Sequence, residues 1–275
     1  MPDPIYALIL GLVQGATEFL PISSSGHLVL AGNLLGVKEP DLVLDTVLHC
    51  GTLLAVVVFL RAELKEIVHG VWRIVTFAES PTNLLRDDPG VRWLTWMVVA
   101  SVPTALIGVL LKDWFESLFA STLAVGIALC FTGFVLLATQ RVLKQPTKDK
   151  PINAARAFAV GLAQSIAITP GVSRSGMTIA ASLFTGMRVE VAAKFSFLIS
   201  IPAIFGALLL QVKDLQGINA NRGLALSVGF VAAAISGYLC LRLLFKLLEK
   251  RRFAEFGIYC LAVGITAIVY SLINA

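Results

Sequence analysis

Residues 11–26 read Gly-Leu-Val-Gln-Gly-Ala-Thr-Glu-Phe-Leu-Pro-Ile-Ser-Ser-Ser-Gly, and residues 161–176 read Gly-Leu-Ala-Gln-Ser-Ile-Ala-Ile-Thr-Pro-Gly-Val-Ser-Arg-Ser-Gly. Laid over each other without a gap, at an offset of 150, they share Gly11/Gly161, Leu12/Leu162, Gln14/Gln164, Ser23/Ser173, Ser25/Ser175 and Gly26/Gly176. The chain therefore reads as a duplicated unit, each copy carrying a short polar, glycine-containing break inside apolar sequence. In a membrane protein, paired interruptions of this kind point to a binding site.

Composition sets the class. The 275 residues are 57% hydrophobic and 14% charged, with mean hydropathy +0.85, far outside globular usage. The Met1–Pro4 start has no basic stretch, so no cleavable signal peptide is read. Cys50, Cys130, Cys240 and Cys260 lie in apolar segments without CxxC spacing and read as small buried hydrophobes. A net charge of +5 does not point to nucleic acid here, because its distribution follows a membrane topology.

A spanning helix needs about 20 mostly apolar residues. Six stretches qualify, near 42–60, 94–111, 121–140, 192–211, 224–244 and 254–273. Two more, 5–36 and 154–187, are each cut by a polar break into pieces too short to cross. Each reads as a re-entrant helical hairpin, which needs protein or a watery cavity around its exposed backbone. The expected fold is an all-α polytopic membrane protein of six spanning helices plus two re-entrant hairpins. Its two repeats are 1–150 and 151–275, each a hairpin plus three spans. Three is odd, so the second repeat is inverted.

Basic residues agree. The stretch 61–92 holds Arg61, Lys65, Arg73, Arg86 and Arg92; 141–156 holds Arg141, Lys144, Lys148, Lys150 and Arg156; 242–252 holds Arg242, Lys246, Lys250, Arg251 and Arg252. The intervening loops hold Lys112, Lys213 and Arg222, a ratio of 15 to 3 that puts the rich stretches in the cytoplasm. The first hairpin then dips in from outside and the second from inside, with both termini outside. Trp72, Trp93 and Trp96, in or beside the 61–92 loop, read as interfacial anchors, and Pro81, Asp88-Pro89-Gly90 and Pro146 as turns.

The breaks carry the chemistry. Gln14 and Glu18, four apart, share a helix face, and a carboxylate inside an apolar hairpin is functional by default. Pro21 ends one helix, and Ser23-Ser24-Ser25-Gly26-His27 opens the next. Serines, glycine and free backbone N–H groups at a positive helix end form an anion site, although serines also cap helices with no other role. A serine with His or Glu in reach is also a candidate nucleophile. Arg174, between Ser173 and Ser175 and followed by Gly176, needs an anionic partner. Glu18 is one candidate; a phosphate held by both breaks fits better. Asp45 and His49 read equally as a secondary polar site or a satisfied pair. His69 reads as a residue without chemistry in the basic loop, and Arg188, Glu190 and Lys194 as a helix start.

Gln14-x-x-x-Glu18, the run Phe-Leu-Pro-Ile-Ser-Ser-Ser-Gly-His27 and the later Pro-Gly-Val-Ser173-Arg174-Ser-Gly resemble the undecaprenyl-pyrophosphate phosphatase, or bacitracin-resistance, family. The resemblance extends over nearly the whole chain, including Phe195-Ser-Phe-Leu-Ile-Ser-Ile-Pro202. It implies a hydrolase in the bacterial cell membrane, its site facing the outer, periplasmic side. Such an enzyme removes the terminal phosphate of undecaprenyl pyrophosphate with Mg²⁺ or Ca²⁺, recycling the carrier lipid for peptidoglycan and cell-wall synthesis and conferring bacitracin resistance. By resemblance, Glu18, Ser24, His27 and Arg174 are catalytic, and Glu18 and Gln14 face the metal. Ser23, Ser25, Gly26, Ser173, Ser175 and Gly176 bind substrate. Many members have Glu where this chain has Gln14, which leaves Glu18 the main acid. The implied partners are the prenyl pyrophosphate and membrane lipid, not nucleic acid, with a homodimer left open. A second lipid-phosphatase family shares Ser25-Gly26-His27, but the histidine it needs after Arg174 and five intervening residues is replaced by Ala180. Inverted repeats with broken helices also suit a transporter or lipid flippase.

Overall fold

The structure, a computed structural model, describes residues 3–34, 41–76, 80–119, 121–145, 149–211 and 220–273. Pro146, Lys148, Lys213 and the last two positions of the 5–36 stretch lie outside them. The described residues form helices α1 (Pro4–Phe19), α2 (Ser24–Leu34), α3 (Leu42–Phe59), α4 (Arg61–Val75), α5 (Pro81–Asp87), α6 (Pro89–Leu110) and α7 (Lys112–Phe119). They continue with α8 (Thr122–Leu143), α9 (Ala154–Ile166), α10 (Arg174–Phe184), α11 (Val189–Gln211), α12 (Ala220–Glu249) and α13 (Phe256–Ile273).

Among these, α6, α8, α11, α12 and α13 are long and apolar enough to cross a membrane, and α3 with α4 forms a further apolar run bent by 81°. Large apolar residues such as Leu110, Phe134, Ile235 and Ile273 face outward, where a soluble protein would carry polar ones. The chain is an all-α polytopic membrane protein. At about 1.5 Å per residue, α2, α9 and α10 reach roughly 16–20 Å and α1 roughly 24 Å, short of a core about 30 Å thick.

Some boundaries move. The span expected from 94 begins at Pro89, because the Asp88 carboxylate accepts the Val91 amide at 3.1 Å and proline fits the first helical position. Burial works to raise the Asp88 carboxyl, but that amide and Arg73, at 2.7 Å, hold it below the usual range. Trp93 therefore joins Trp96 inside α6, where it stacks on Phe195, rather than lying in the loop before it. Likewise Arg242 and Lys246 lie within α12, not in a loop. Pro81 opens α5 rather than marking a turn.

Close helix contacts fix the running directions. Gly11 lies against Gly229 and Ala232, Gly15 against Ala233, Ser236 and Gly237, so α1 and α12 run in the same sense. Gly51 against Phe230 and Ala55 against Gly237 give α3 that sense too. Because α1 and α3 run alike, α2 must carry the chain back between them, which is a re-entrant path. In the other half Gly161 lies against Ala100 and Pro103, and Gly108 faces Ile168, so α9 follows α6. Lys194 at the start of α11 bonds Glu63, just past the end of α3, at 2.9 Å, and Trp93 meets Phe195. Thus α6, α9 and α11 start where α3 ends. The two hairpins enter from opposite ends of the bundle, and their tips meet.

Backbones approach this closely only because the contact residues are small. A methyl group added at Gly15 would sit 2.0 Å from Ser236 Oγ and 2.5 Å from the Ala233 carbonyl, whereas at Gly206 it would meet nothing within 4 Å. Gly15→Ala is expected to lower stability by about 1–3 kcal/mol through overpacking. Gly206→Ala should be neutral or stabilising by up to about 1 kcal/mol. Thermal unfolding of both variants in one detergent checks the contrast.

Candidate active site

Each hairpin tip has to turn the chain sharply, and the two solve this at different residues. In the second, Gly171 takes the left-handed conformation, φ +91°, and a side chain there would strike the Val125 carbonyl at 2.5 Å. Its counterpart in the first is Pro21, whose ring forbids positive φ. The left-handed turn falls instead on Ser23, at φ 69°, a strained value for a residue with a side chain.

Beyond the turns the tips repeat one design. Ser23 Oγ accepts from the Gly26 amide at 3.3 Å, and Ser173 Oγ from the Gly176 amide at 3.1 Å. Both hydroxyls lie 3.3 Å from the next-but-one serine, Ser25 or Ser175. The tips are also joined to each other. The Gly171 amide donates to Ser25 Oγ at 3.4 Å, and Ser175 Oγ donates to the Leu20 carbonyl at 3.2 Å. Thr132 of α8 pins the second tip, accepting the Ser173 amide at 3.1 Å and donating to the Gly171 carbonyl at 3.2 Å.

Glu18 sits at the centre, buried on α1. Its Oε2 accepts from Gln14 Nε2 at 3.0 Å and Ser24 Oγ at 2.5 Å, and its Oε1 is paired with Arg174 Nη2. His49 Nε2 lies 3.9 Å from Oε2. The partner that the sequence ranked second for Arg174 is thus the one it has in this structure. Two polar atoms here are buried without a partner: Arg174 Nη1, a cationic donor, and Gln14 Oε1, an acceptor. Buried orphans are rare in folded proteins and call for a ligand or a function.

His27 is placed differently from expectation. Its Nδ1 faces the Ser23 carbonyl and its Nε2 the Tyr259 hydroxyl, both at 2.8 Å, and its ring stacks on Tyr259. A carbonyl only accepts, so Nδ1 carries the proton and Nε2 accepts from tyrosine. The structure therefore brings together Gln14, Glu18, Ser24 and Arg174, with Ser23, Ser25, Gly26, Ser173, Ser175 and Gly176 shaping the two tips, and sets His27 against α13. The sequence did not mark Thr132 or Tyr259. The first is a lone hydroxyl in an apolar span, and the second reads as an interfacial aromatic. For His49 the sequence supports a polar site and a satisfied pair equally; its Nδ1 bonds the Asp45 carbonyl at 2.8 Å, which aims the other nitrogen toward Glu18.

With this geometry in view, the similarities of the chain become specific. Residues 7–266 match the family model described as bacitracin resistance protein BacA. The chain belongs to that family. It is 41% identical to a protein of Methanosphaera stadtmanae named undecaprenyl-diphosphatase, over 99% of this chain and 100% of that one. Proteins of the same name from Methanobrevibacter smithii (42% identical; 98% of both chains) and Desulforapulum autotrophicum (41%; 95% and 96%) are similar over comparable lengths.

Removing one partner of a buried ion pair leaves the other charge uncompensated, at about 3–5 kcal/mol. Arg174→Ala should lose about that much stability. Glu18→Gln with Arg174→Ala should lose clearly less than the sum of the two single changes, a coupling of about 1–3 kcal/mol. Additive losses in detergent unfolding would show that the pair does not hold the hairpins together.

Proposed function

We propose that this protein hydrolyses undecaprenyl pyrophosphate to undecaprenyl phosphate and inorganic phosphate, returning the lipid carrier to cell-wall synthesis and conferring bacitracin resistance. The observation that carries the reading is the buried, unpartnered Arg174 Nη1 beside a serine hydroxyl held on a carboxylate, between two facing helix N-termini. Such a place takes an anion and offers it a nucleophile. The names of the similar proteins supply the substrate.

Bound pyrophosphate competes with Glu18 for Arg174, whose planar fork suits two phosphate oxygens. As Arg174 turns to phosphate, Glu18 loses its cation and becomes a better proton acceptor. Ser24 Oγ passes its proton to Glu18 and bonds to the terminal phosphorus. The bridging P–O bond breaks with its electron pair on the departing prenyl phosphate. Water then cleaves the phosphoserine: Glu18 returns its proton to Ser24 Oγ as the Oγ–P bond breaks and takes the proton that the attacking water gives up. Both nitrogens of His27 are engaged away from the carboxylate, so His27 positions the first tip instead of moving the proton.

A divalent cation, Mg²⁺ or Ca²⁺, belongs to this proposal. Among the described residues no cluster of three His, Cys, Asp or Glu side chains exists. The oxygens that would hold the ion are those of Glu18 and the orphaned Gln14 Oε1. One carboxylate and one amide oxygen would suit a cation that keeps most of its waters. Held there, such an ion would supply positive charge against the negative charge of the substrate.

The proposal also includes the repeat, 1–150 and 151–275, and its orientation. The packing of α1 on α12 has its counterpart in α9 on α6, and α8 and α13, antiparallel partners, are each other's counterpart, which supports inversion. The basic stretches support a cytoplasmic position for 61–92, 141–156 and 242–252. The first hairpin then opens to the outer side of the bacterial cell membrane, and the prenyl tail enters from the outer leaflet.

Glu18→Gln in purified protein should cut phosphate release from a prenyl pyrophosphate by at least about a hundredfold. Arg174→Lys should restore only part of what Arg174→Ala loses. A Glu18→Gln rate within about threefold of wild type would remove Glu18 from the reaction. EDTA should stop release, and Mg²⁺ or Ca²⁺ should restore it; a rate unmoved by chelation would discard the cation.

Orientation has its own check. In a background without native cysteines, a membrane-impermeant thiol reagent added outside intact cells should label Glu116→Cys and leave Lys150→Cys unlabelled. The opposite pattern would place the site on the inner face.

A further inference from the structure

The bend after α3 has a consequence away from the hairpins. α3 and α4 form one apolar run broken by an 81° bend, and α4, which carries Arg61, Glu63, Lys65, Glu66 and Arg73 in 15 residues, has the amphipathic character of a helix at the membrane surface. One side of α4 is tied to the protein: Glu63 bonds Lys194, Ile67 is buried, and Gly70 lies against Gly90 and Val91. The other side is open. With the end of α3 it walls a groove of about 570 Å³, lined by Val57, Arg61, Leu64, Lys65, Val68, His69 and Trp72. At about 100° per residue, Arg61, Lys65, Val68 and Trp72 share this face, and Glu63 and Glu66 fall on the opposite one.

Two observations say what covers it. The apolar lining continues into bilayer-facing surface: Val68 is 68% and Trp72 67% exposed, and Leu54 and Val58 of α3 point outward as well. The cations are uncompensated: among the described residues neither Arg61 nor Lys65 has an acidic partner within ion-pair distance. A partner must therefore offer an apolar chain on the membrane side and a negative group at the surface.

We propose that this groove is a binding site for a membrane phospholipid with an anionic headgroup. Its acyl chain lies against Val57, Leu64, Val68 and Trp72, and its phosphate meets Arg61 and Lys65. The site is separate from the hairpin tips and does not depend on the reaction proposed for them. Its size falls in the range of about 300–1,000 Å³ common for small-ligand sites.

Native mass spectrometry of the full chain, mixed in detergent with equal phosphatidylglycerol and phosphatidylcholine, tests this. Wild type should retain phosphatidylglycerol in preference. Arg61→Gln with Lys65→Gln should weaken that retention roughly twentyfold, each cation near an anionic headgroup contributing about fivefold. Retention of phosphatidylcholine should not change. The charge-preserving pair Arg61→Lys with Lys65→Arg should keep the preference. Trp72→Ala should weaken both lipids. Phosphate release by the Gln pair in detergent should match wild type, which confirms folding and separates this result from the proposed reaction. Equal retention of both lipids by wild type would overturn the site. So would preferential retention of an added prenyl phosphate, which would make the groove a product site. Loss of a dimer peak in the Gln pair without loss of lipid would assign the groove to a second copy of the chain.

Discussion

Glu18 and Arg174 are 156 residues apart in sequence and joined as an ion pair inside the bundle. Each alone would be a charge in apolar surroundings, with a desolvation cost that no single hairpin offsets. The hairpins are incomplete for a second reason. Their helices stop short of spanning, so the polar backbone at each tip ends within the membrane, where water cannot satisfy it. Both problems have one solution, which is to put the tips together. Ser25 then takes the Gly171 amide, Ser175 gives to the Leu20 carbonyl, and carboxylate and guanidinium compensate each other. The ion pair thus joins the two hairpins at their tips. What neutralises Arg174 in the protein is the group that an incoming phosphate would have to replace.

This meeting requires close approach of the surrounding helices. Gly11 and Gly15 let α1 settle on α12, Gly161 lets α9 settle on α6, and Gly171 lets the second tip reach α8. The strained turn at Ser23 belongs to the same economy. Pro21 ends α1 early enough for the tip to form, and the left-handed conformation that proline cannot take moves two residues on. That places the Ser23 carbonyl where the His27 ring can donate to it and the Ser24 hydroxyl where it meets Glu18.

The spans and both hairpins were legible because hydropathy and chain length constrain a helix in a bilayer directly. Glu18, Ser24 and Arg174 stand out as candidates because polar residues inside apolar stretches are conspicuous, and the structure brings the three together. Distance was not legible. Nothing in the spacing of residues 18 and 174 says that they touch, and the chemistry of phosphate made an external anion look the better partner for Arg174. Side-chain direction was equally hidden. His27 follows three serines, which suggested a shared site, yet one helical step turns it to Tyr259. Trp93 falls outside a span counted from apolar residues alone, which starts at 94. The Asp88 cap starts α6 earlier and draws it into the helix.

The offset of 150 residues explains why two similar tips yield one site. The caps are equivalent, Ser23 with Ser173 and Ser25 with Ser175, and so are Gln14 and Gln164, whose Oε1 atoms are both buried without a partner. The chemistry-bearing positions are not. Ser24 corresponds to Arg174, each the first residue of its helix, and Glu18 corresponds to Ile168. Two identical tips would bring two carboxylates, or two guanidiniums, into a dry interior, where like charges repel strongly. Divergence at these positions replaces that repulsion with attraction. One copy supplies carboxylate and hydroxyl, the other the cation, and both donors converge on the single acid. The two similar tips bring two helix N-termini face to face, and their differences at these positions leave one carboxylate and one guanidinium between them.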